Sequence, residues 1–112
     1  MIDFNDSEKI LNYIGGELVP ASSGKTLPCY EPATGKEYTQ VAASDGSDVE
    51  KAVQAARKAF PQWSALSPQE RSQYLKLMAQ KIDENLDVLA RAESRDNGKP
   101  VSVAKSVDIP RS

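Results

Sequence analysis

An α/β fold is predicted, with a β-hairpin and short strands first and about four helices after them. Up to Ala43 the chain alternates short apolar pieces with turns rich in glycine and proline. From Ser47 to Gly98 it carries three consecutive helical signals, each with a start signal before it and a firm stop at the end. The last residues, Asp108-Ile109-Pro110-Arg111-Ser112, have the form of another helix start, with Asp108 as N-cap and Pro110 in the first turn. A start with no helix after it suggests a segment of something longer, so the fold is expected to be incomplete within these 112 residues.

The elements follow in chain order. Residues 1–12 are polar and expected to form a loose arm. Tyr13 to Pro20 has two apolar pieces around Gly15-Gly16, and paired glycines supply the positive φ that a tight hairpin needs. Ala21 to Lys25 is a loop of small residues. Leu27 to Tyr30 and Glu37 to Ala43 read as strands, joined by a turn at Pro32-Ala33-Thr34-Gly35.

The first helix is expected to open on a capping box of Ser47 and Glu50. Val49, Ala52, Val53, Ala56 and Phe60 recur on one of its faces, and Pro61 is expected to end it. The second opens on Ser67, Pro68 and Glu70, an N-cap, an N1 proline and a second capping box. Tyr74, Leu75, Met78, Ile82 and Leu86 line its face. Asn85 is positioned to cap a third helix carrying Leu86, Leu89 and Ala92, with Asp87 and Arg91 as an i, i+4 pair. Gly98 suits the left-handed position after that helix, and Pro100 prevents continuation and opens a short helical piece over Val101 to Val107. The bland account of all these stripes is ordinary core packing.

Composition bounds the function. The length allows one domain at most, and a compact chain of this size buries about two-thirds of its unfolded surface, enough to fold alone. Hydrophobic residues make up 39% and aromatics 6%, so the core draws on small aliphatic side chains. A net charge of -2 with interspersed signs suggests neither nucleic acid nor an anionic membrane as partner. The single cysteine cannot form an intrachain disulfide, which suits a reducing compartment. The first dozen residues lack the pattern of a secretory or transit signal, and no apolar run approaches membrane-spanning length, so a cytoplasmic location is expected.

No catalytic constellation stands out. Histidine is absent, which excludes Ser-His-Asp, Cys-His and histidine-based metal sites. There is no G-x-G-x-x-G. Gly24-Lys25-Thr26 resembles the end of a phosphate-binding loop, but the required first glycine falls at Val19. Cys29 sits in a strand without a base or helix N-terminus nearby in sequence, and reads as an inert buried thiol. Asp96 is more informative. It falls in the last turn of the third helix, against the negative end of the dipole, where something positive should compensate. Arg95, Lys99 or a bound alkali cation could do so, and a hard cation would take the carboxylate together with backbone carbonyls.

The wording of the chain resembles the N-terminal portion of the NAD(P)-dependent aldehyde dehydrogenase superfamily. The matching pieces run in order: Tyr13-Ile14-Gly15-Gly16-Glu17; Glu31-Pro32-Ala33-Thr34-Gly35; Asp48-Val49, Ala52-Val53 and Ala55 through Phe60; Trp63-Ser64; Ser67 through Arg71; and Glu93 through Pro100. Ala59-Phe60-Pro61, Ser67 to Arg71 and Asp108 to Ser112 look most like the 2-aminomuconic and hydroxymuconic semialdehyde dehydrogenases within it.

The resemblance implies that residues 13–112 are the N-terminal segment of an aldehyde dehydrogenase fold. The rest of the cofactor-binding domain and the catalytic domain would lie in further chain. It also implies oxidation of an aldehyde to an acid through a cysteine thioester, with hydride passing to NAD(P) and a glutamate activating water. The family's cysteine, glutamate, oxyanion asparagine and glycine-rich loop match no position here, and Cys29 is not in the nucleophile's motif. One family feature does match: a monovalent-cation site made by two consecutive backbone carbonyls, here Cys29 and Tyr30, with the carboxylate of Asp96. The chain alone is then expected to be inactive and to bind no NAD(P). Its expected partner is the rest of an aldehyde dehydrogenase chain, which would be a homo-oligomer when complete. The alternative is a non-catalytic product that binds full-length subunits or competes with them.

Overall fold

The structure, a computed structural model, describes residues 9–112. Two antiparallel strand pairs come first: β1 (Asn12–Ile14) with β2 (Glu17–Val19), and β3 (Thr26–Glu31) with β4 (Lys36–Ala42). Three helices follow: α1 (Gly46–Ala65), α2 (Pro68–Glu84) and α3 (Leu86–Asn97). A helical run then changes pitch twice, from α over Val101–Val103 to π over Ala104–Asp108 and 3-10 over Ile109–Arg111.

The strands lie where the alternating pieces placed them. Tyr13 pairs with Leu18 across the Gly15-Gly16 turn, where φ is 65° and 91°. Those values suit the two positive-φ positions of a primed hairpin turn. Of the expected N-terminal arm, residues 1–8 lie outside the described residues. Ile10 is bonded to β4, donating to the Gln40 carbonyl at 2.8 Å and accepting from Ala42 N at 2.9 Å.

The helix boundaries correct three expectations. The N-cap of α1 is Asp45, not Ser47. Asp45 and Asp48 offer the same three-residue spacing two positions earlier: Asp45 Oδ1 accepts from Ser47 N at 2.8 Å, and Asp48 Oδ2 accepts from Asp45 N at 3.1 Å. Glu50 instead receives Gln54, four residues on. Pro61 does not end α1 but lies inside it. The missing N–H costs one bond in the last turns of an exposed helix, where water can satisfy the Arg57 carbonyl. The true stop is Pro68, which disfavours a helical Ser67. Leu66 and Ser67 are both extended, with ψ of 144° and 157°. Asp108 does not cap a new helix. It continues the helical run, with no side-chain capping bond, and its carboxylate pairs with Lys99 at 3.0 Å.

Other signals hold. Ser67 Oγ accepts from Glu70 N at 3.2 Å while Glu70 Oε2 accepts from Ser67 N at 2.8 Å, a complete capping box. Asn85 separates α2 from α3, although its side chain donates back to the Lys81 carbonyl and makes no forward cap. Asp87 pairs with Lys105 of the helical run, and Arg91 adds only a weaker attraction.

The packing is where the structure departs most from expectation. Among the described residues the buried set is Ala21, Ala90, Ala104 and the carboxylate-bearing Asp48. Ala90 and Ala104 lie where the helical run crosses α3, and their lack of bulk permits the close approach. The stripes of α1 and α2 are not core: Val49, Phe60, Leu75 and Met78 are each 60% exposed or more. No described element covers them. Among the described residues no helix is long and apolar enough to cross a membrane.

Candidate functional site

Asp96 is where the fold brings distant chemistry together. β3 and β4 pair Cys29 with Thr39 and then Tyr30 with Glu37, so Tyr38 is an extra residue on β4. Such a bulge bends the strand and re-aims a side chain. Tyr38 Oη donates to Asp96 Oδ1 at 2.8 Å. Cys29 Sγ lies 3.4 Å from the same oxygen and 3.6 Å from Tyr38 Oη. Burial first, then the hydrogen bonds with Cys29 and Asp96 and the Asp96 charge, push the Tyr38 hydroxyl well above the ordinary tyrosine range. Tyr38 therefore acts as a neutral donor.

A second set of contacts supports this triangle. The Arg95 guanidinium sits 4.6 Å from the Tyr38 ring centroid, a cation–π distance. Its Nε is 4.0 Å from Glu31 Oε2, which also receives Thr34 Oγ1. At the end of α3, Gly98 takes φ 78°, and a Cβ there would stand 3.2 Å from Pro32. Glycine is thus required twice over, for its backbone angle and for the approach of the β3–β4 turn.

The outcome for each expected residue is plain. Cys29 is half-buried rather than buried, and it touches a carboxylate that sequence distance concealed. Asp96 does need partners, but the hydroxyl of Tyr38 and the thiol of Cys29 supply them. Lys99 turns to Asp108, and the contacts described for Arg95 run to Tyr38 and Glu31. Tyr38 was legible only as a β-favouring residue, because a bulge leaves no mark in strand composition.

The donor set decides what could bind. Among the described residues no three His, Cys, Asp or Glu side chains gather as a metal site. A cation at Asp96 would therefore rely on backbone oxygens, and the irregular pairing at Cys29/Tyr30 is a place where carbonyls leave the regular ladder. Both described hydrogen bonds fall on Oδ1, which makes Oδ2 the oxygen a cation would take. This is hard-ligand chemistry suited to an alkali ion. The first turn of α1 is capped by Asp45 and Asp48, and that of α2 by Ser67 and Glu70.

A second cluster, missed in the sequence, fixes the loop before β3 to α1. Asp48 Oδ1 accepts from Ser22 N at 2.9 Å and from Ser22 Oγ, while Lys51 Nζ donates to Ser22 Oγ at 2.6 Å. The Ser22 side-chain bond, with the backbone bonds from Asp45 and Ser22, holds the Asp48 carboxyl below its ordinary range.

Known proteins share this fold. The model of the aldehyde dehydrogenase family matches residues 18–112. The 2-aminomuconic semialdehyde dehydrogenase of Bos taurus is 49% identical over 100 residues, covering 89% of this chain and 20% of that one. The Homo sapiens enzyme of the same name is 46% identical over 101 residues, covering 90% and 20%. Among solved structures, PnpE in complex with nicotinamide adenine dinucleotide superposes with a TM-score of 0.89 at 39% identity, covering 91% of this chain and 21% of that one. Indole-3-acetaldehyde dehydrogenase in apo form gives 0.84 at 39%, covering 88% and 23%. The chain thus spans about a fifth of the length of the relatives it matches.

Proposed function

The chain belongs to the aldehyde dehydrogenase family, and on that premise we propose that it is the N-terminal segment of an NAD(P)-dependent enzyme that oxidises an aldehyde to a carboxylic acid. The observation that carries this reading is the family match over residues 18–112, joined to 49% identity with a 2-aminomuconic semialdehyde dehydrogenase. That relative makes a muconic semialdehyde the first substrate to test. A nicotinamide cofactor would accept the hydride in the complete enzyme. The chain alone is not expected to bind it, and no step is assigned to this chain.

The role of these 112 residues is structural. They supply the α3–hairpin corner and a large uncovered apolar surface. The complete enzyme is read as a cytoplasmic homo-oligomer, in keeping with one free cysteine. The test is NADH formation from NAD and a muconic semialdehyde. The chain alone is expected to give none, and a longer polypeptide carrying this segment is expected to turn over. Turnover by the chain alone would overturn the reading. The alternative, a product that competes with full-length subunits, would show as loss of activity when the chain is added to the intact enzyme.

Within this reading the carbonyls of Cys29 and Tyr30, with Asp96, hold a monovalent cation. Replacing sodium or potassium by N-methylglucamine at constant ionic strength is expected to lower the melting temperature of the complete enzyme by several degrees. Asp96→Asn is expected to abolish that difference. An equal response in both proteins would sink the site.

A further inference from the structure

We propose that Tyr38 is the positioning residue of the Asp96 cation site: its hydroxyl, with the Cys29 thiol beside it, holds Asp96 Oδ1 and so presents Oδ2 to the ion. The inference rests on the cation reading above and deepens it, by naming what sets the orientation of the carboxylate.

A regular ladder would not bring these groups together. Side chains alternate across a strand. Cys29 pairs with Thr39, so in unbroken alternation Tyr38 would point to the face opposite both. The extra residue on β4 breaks that alternation, and Cys29 Sγ lies 3.6 Å from Tyr38 Oη. The irregularity falls between Cys29 and Tyr30, the two residues whose carbonyls would hold the ion. One bulge thus turns Tyr38 towards the end of α3 and disturbs the ladder where those carbonyls lie.

The bonding directions follow from the groups. A carboxylate only accepts, so Tyr38 Oη donates to Asp96 Oδ1 across 2.8 Å. The one thiol proton of Cys29 has Oδ1 at 3.4 Å and Tyr38 Oη at 3.6 Å within reach. It strengthens the hold on Oδ1 either directly or by polarising the tyrosine hydroxyl. Helix α3 fixes the Cα end of Asp96 and these donors fix Oδ1, so the carboxylate has little freedom to rotate. Asp96 is exposed, and an ion can reach it from solvent. Arg95, one residue earlier, carries a positive charge that would compete for the same carboxylate. Its guanidinium stands 4.6 Å from the Tyr38 ring centroid and its Nε 4.0 Å from Glu31 Oε2, so the tyrosine ring also engages the competitor.

The test reads cation affinity apart from general stability. The complete enzyme carrying this segment is melted over a range of potassium concentrations, with N-methylglucamine keeping the ionic strength constant. A ligand that binds only the folded state raises the melting temperature once its concentration passes its dissociation constant. Tyr38→Phe keeps the ring under Arg95 and removes only the hydroxyl. It is expected to displace the onset of that rise about tenfold to higher potassium, the lower end of what hydrogen-bond partners of metal ligands are worth. Cys29→Ala keeps the Cys29 carbonyl and removes the weaker donor, and is expected to displace the onset by about twofold to threefold. Asp108→Asn breaks the Lys99 pair after α3 and serves as the structural control. It is expected to lower the whole curve with its onset unmoved.

A Tyr38→Phe curve that is lowered throughout but keeps the wild-type onset overturns the proposal, because that is the mark of a merely structural residue. So does an Asp108→Asn onset displaced as far as that of Tyr38→Phe. Should Tyr38→Phe not fold, Cys29→Ala decides, and an unmoved onset there counts against the proposal. A wild-type response that is lost in Asp96→Asn but unchanged in Tyr38→Phe leaves the cation standing and removes Tyr38 alone. A wild-type melt indifferent to potassium removes the cation reading and this inference with it.

Discussion

At the residue scale, the informative side chains are those with two jobs. Asp48 closes the α1 cap and receives Ser22, so one carboxylate anchors a helix start and a loop 26 residues away. Its folded-state proton affinity lies below the ordinary value of 3.8. The stability it contributes is therefore present above that pH and is lost as pH falls through the lower folded value. Thermal unfolding from pH 7 to pH 2 should show this loss in the wild-type chain. Asp48→Asn should melt several degrees lower at neutral pH, with a shallower acid limb. Parallel acid limbs in the two proteins would remove Asp48 from the account. Gly98 likewise combines a positive φ with contact to Pro32; the first demand made its place after the third helix readable, and the second appears only in the tertiary structure.

At the element scale, strands and helices follow local chemistry, and the errors lie at their ends. The Asp45-Asp48 and Ser47-Glu50 spacings compete for one helix start, and Ser22, which is distant in sequence, favours the first. Pro61 shows the same limit of local reading. A proline inside a helix is disfavoured, yet α1 continues to Ala65 because only its last turns are affected. Pro61→Ala restores a donor to the Arg57 carbonyl. It is expected to slow amide exchange between Ala59 and Ala65 and to raise stability by at most about 3 kcal/mol, the full helix-interior cost of proline. Faster exchange in that stretch would mean that Pro61 is held by contacts the helix alone does not provide. The change of pitch over Ala104–Asp108 has no such local signal. It accompanies the Lys105–Asp87 and Lys99–Asp108 pairs that hold the run against α3.

At the scale of the whole molecule, the described residues form secondary structure without closing a core. Its longest dimension is 48 Å and its shortest 20 Å, and its radius of gyration of 16.7 Å exceeds the ~13 Å of a compact domain of this length. The expectation that 112 residues could fold alone rested on length, and length assumes compactness. The apolar stripes were legible as stripes. Their destination was not, because periodicity shows that a face will be buried and not against what.

The sequence by itself determined the order of the elements, both turns, the second capping box and the left-handed stop at Gly98, since each depends on residues within a few positions of one another. Its ordered wording also determined the family. Only the tertiary structure decided that Tyr38 and Cys29 meet Asp96 across 58 and 67 residues, and that Ser22 selects the start of α1. It alone showed that the apolar stripes are exposed among the described residues. Those outcomes depend on a bulge and on how separate elements pack, and the energies involved act between residues that no local pattern connects.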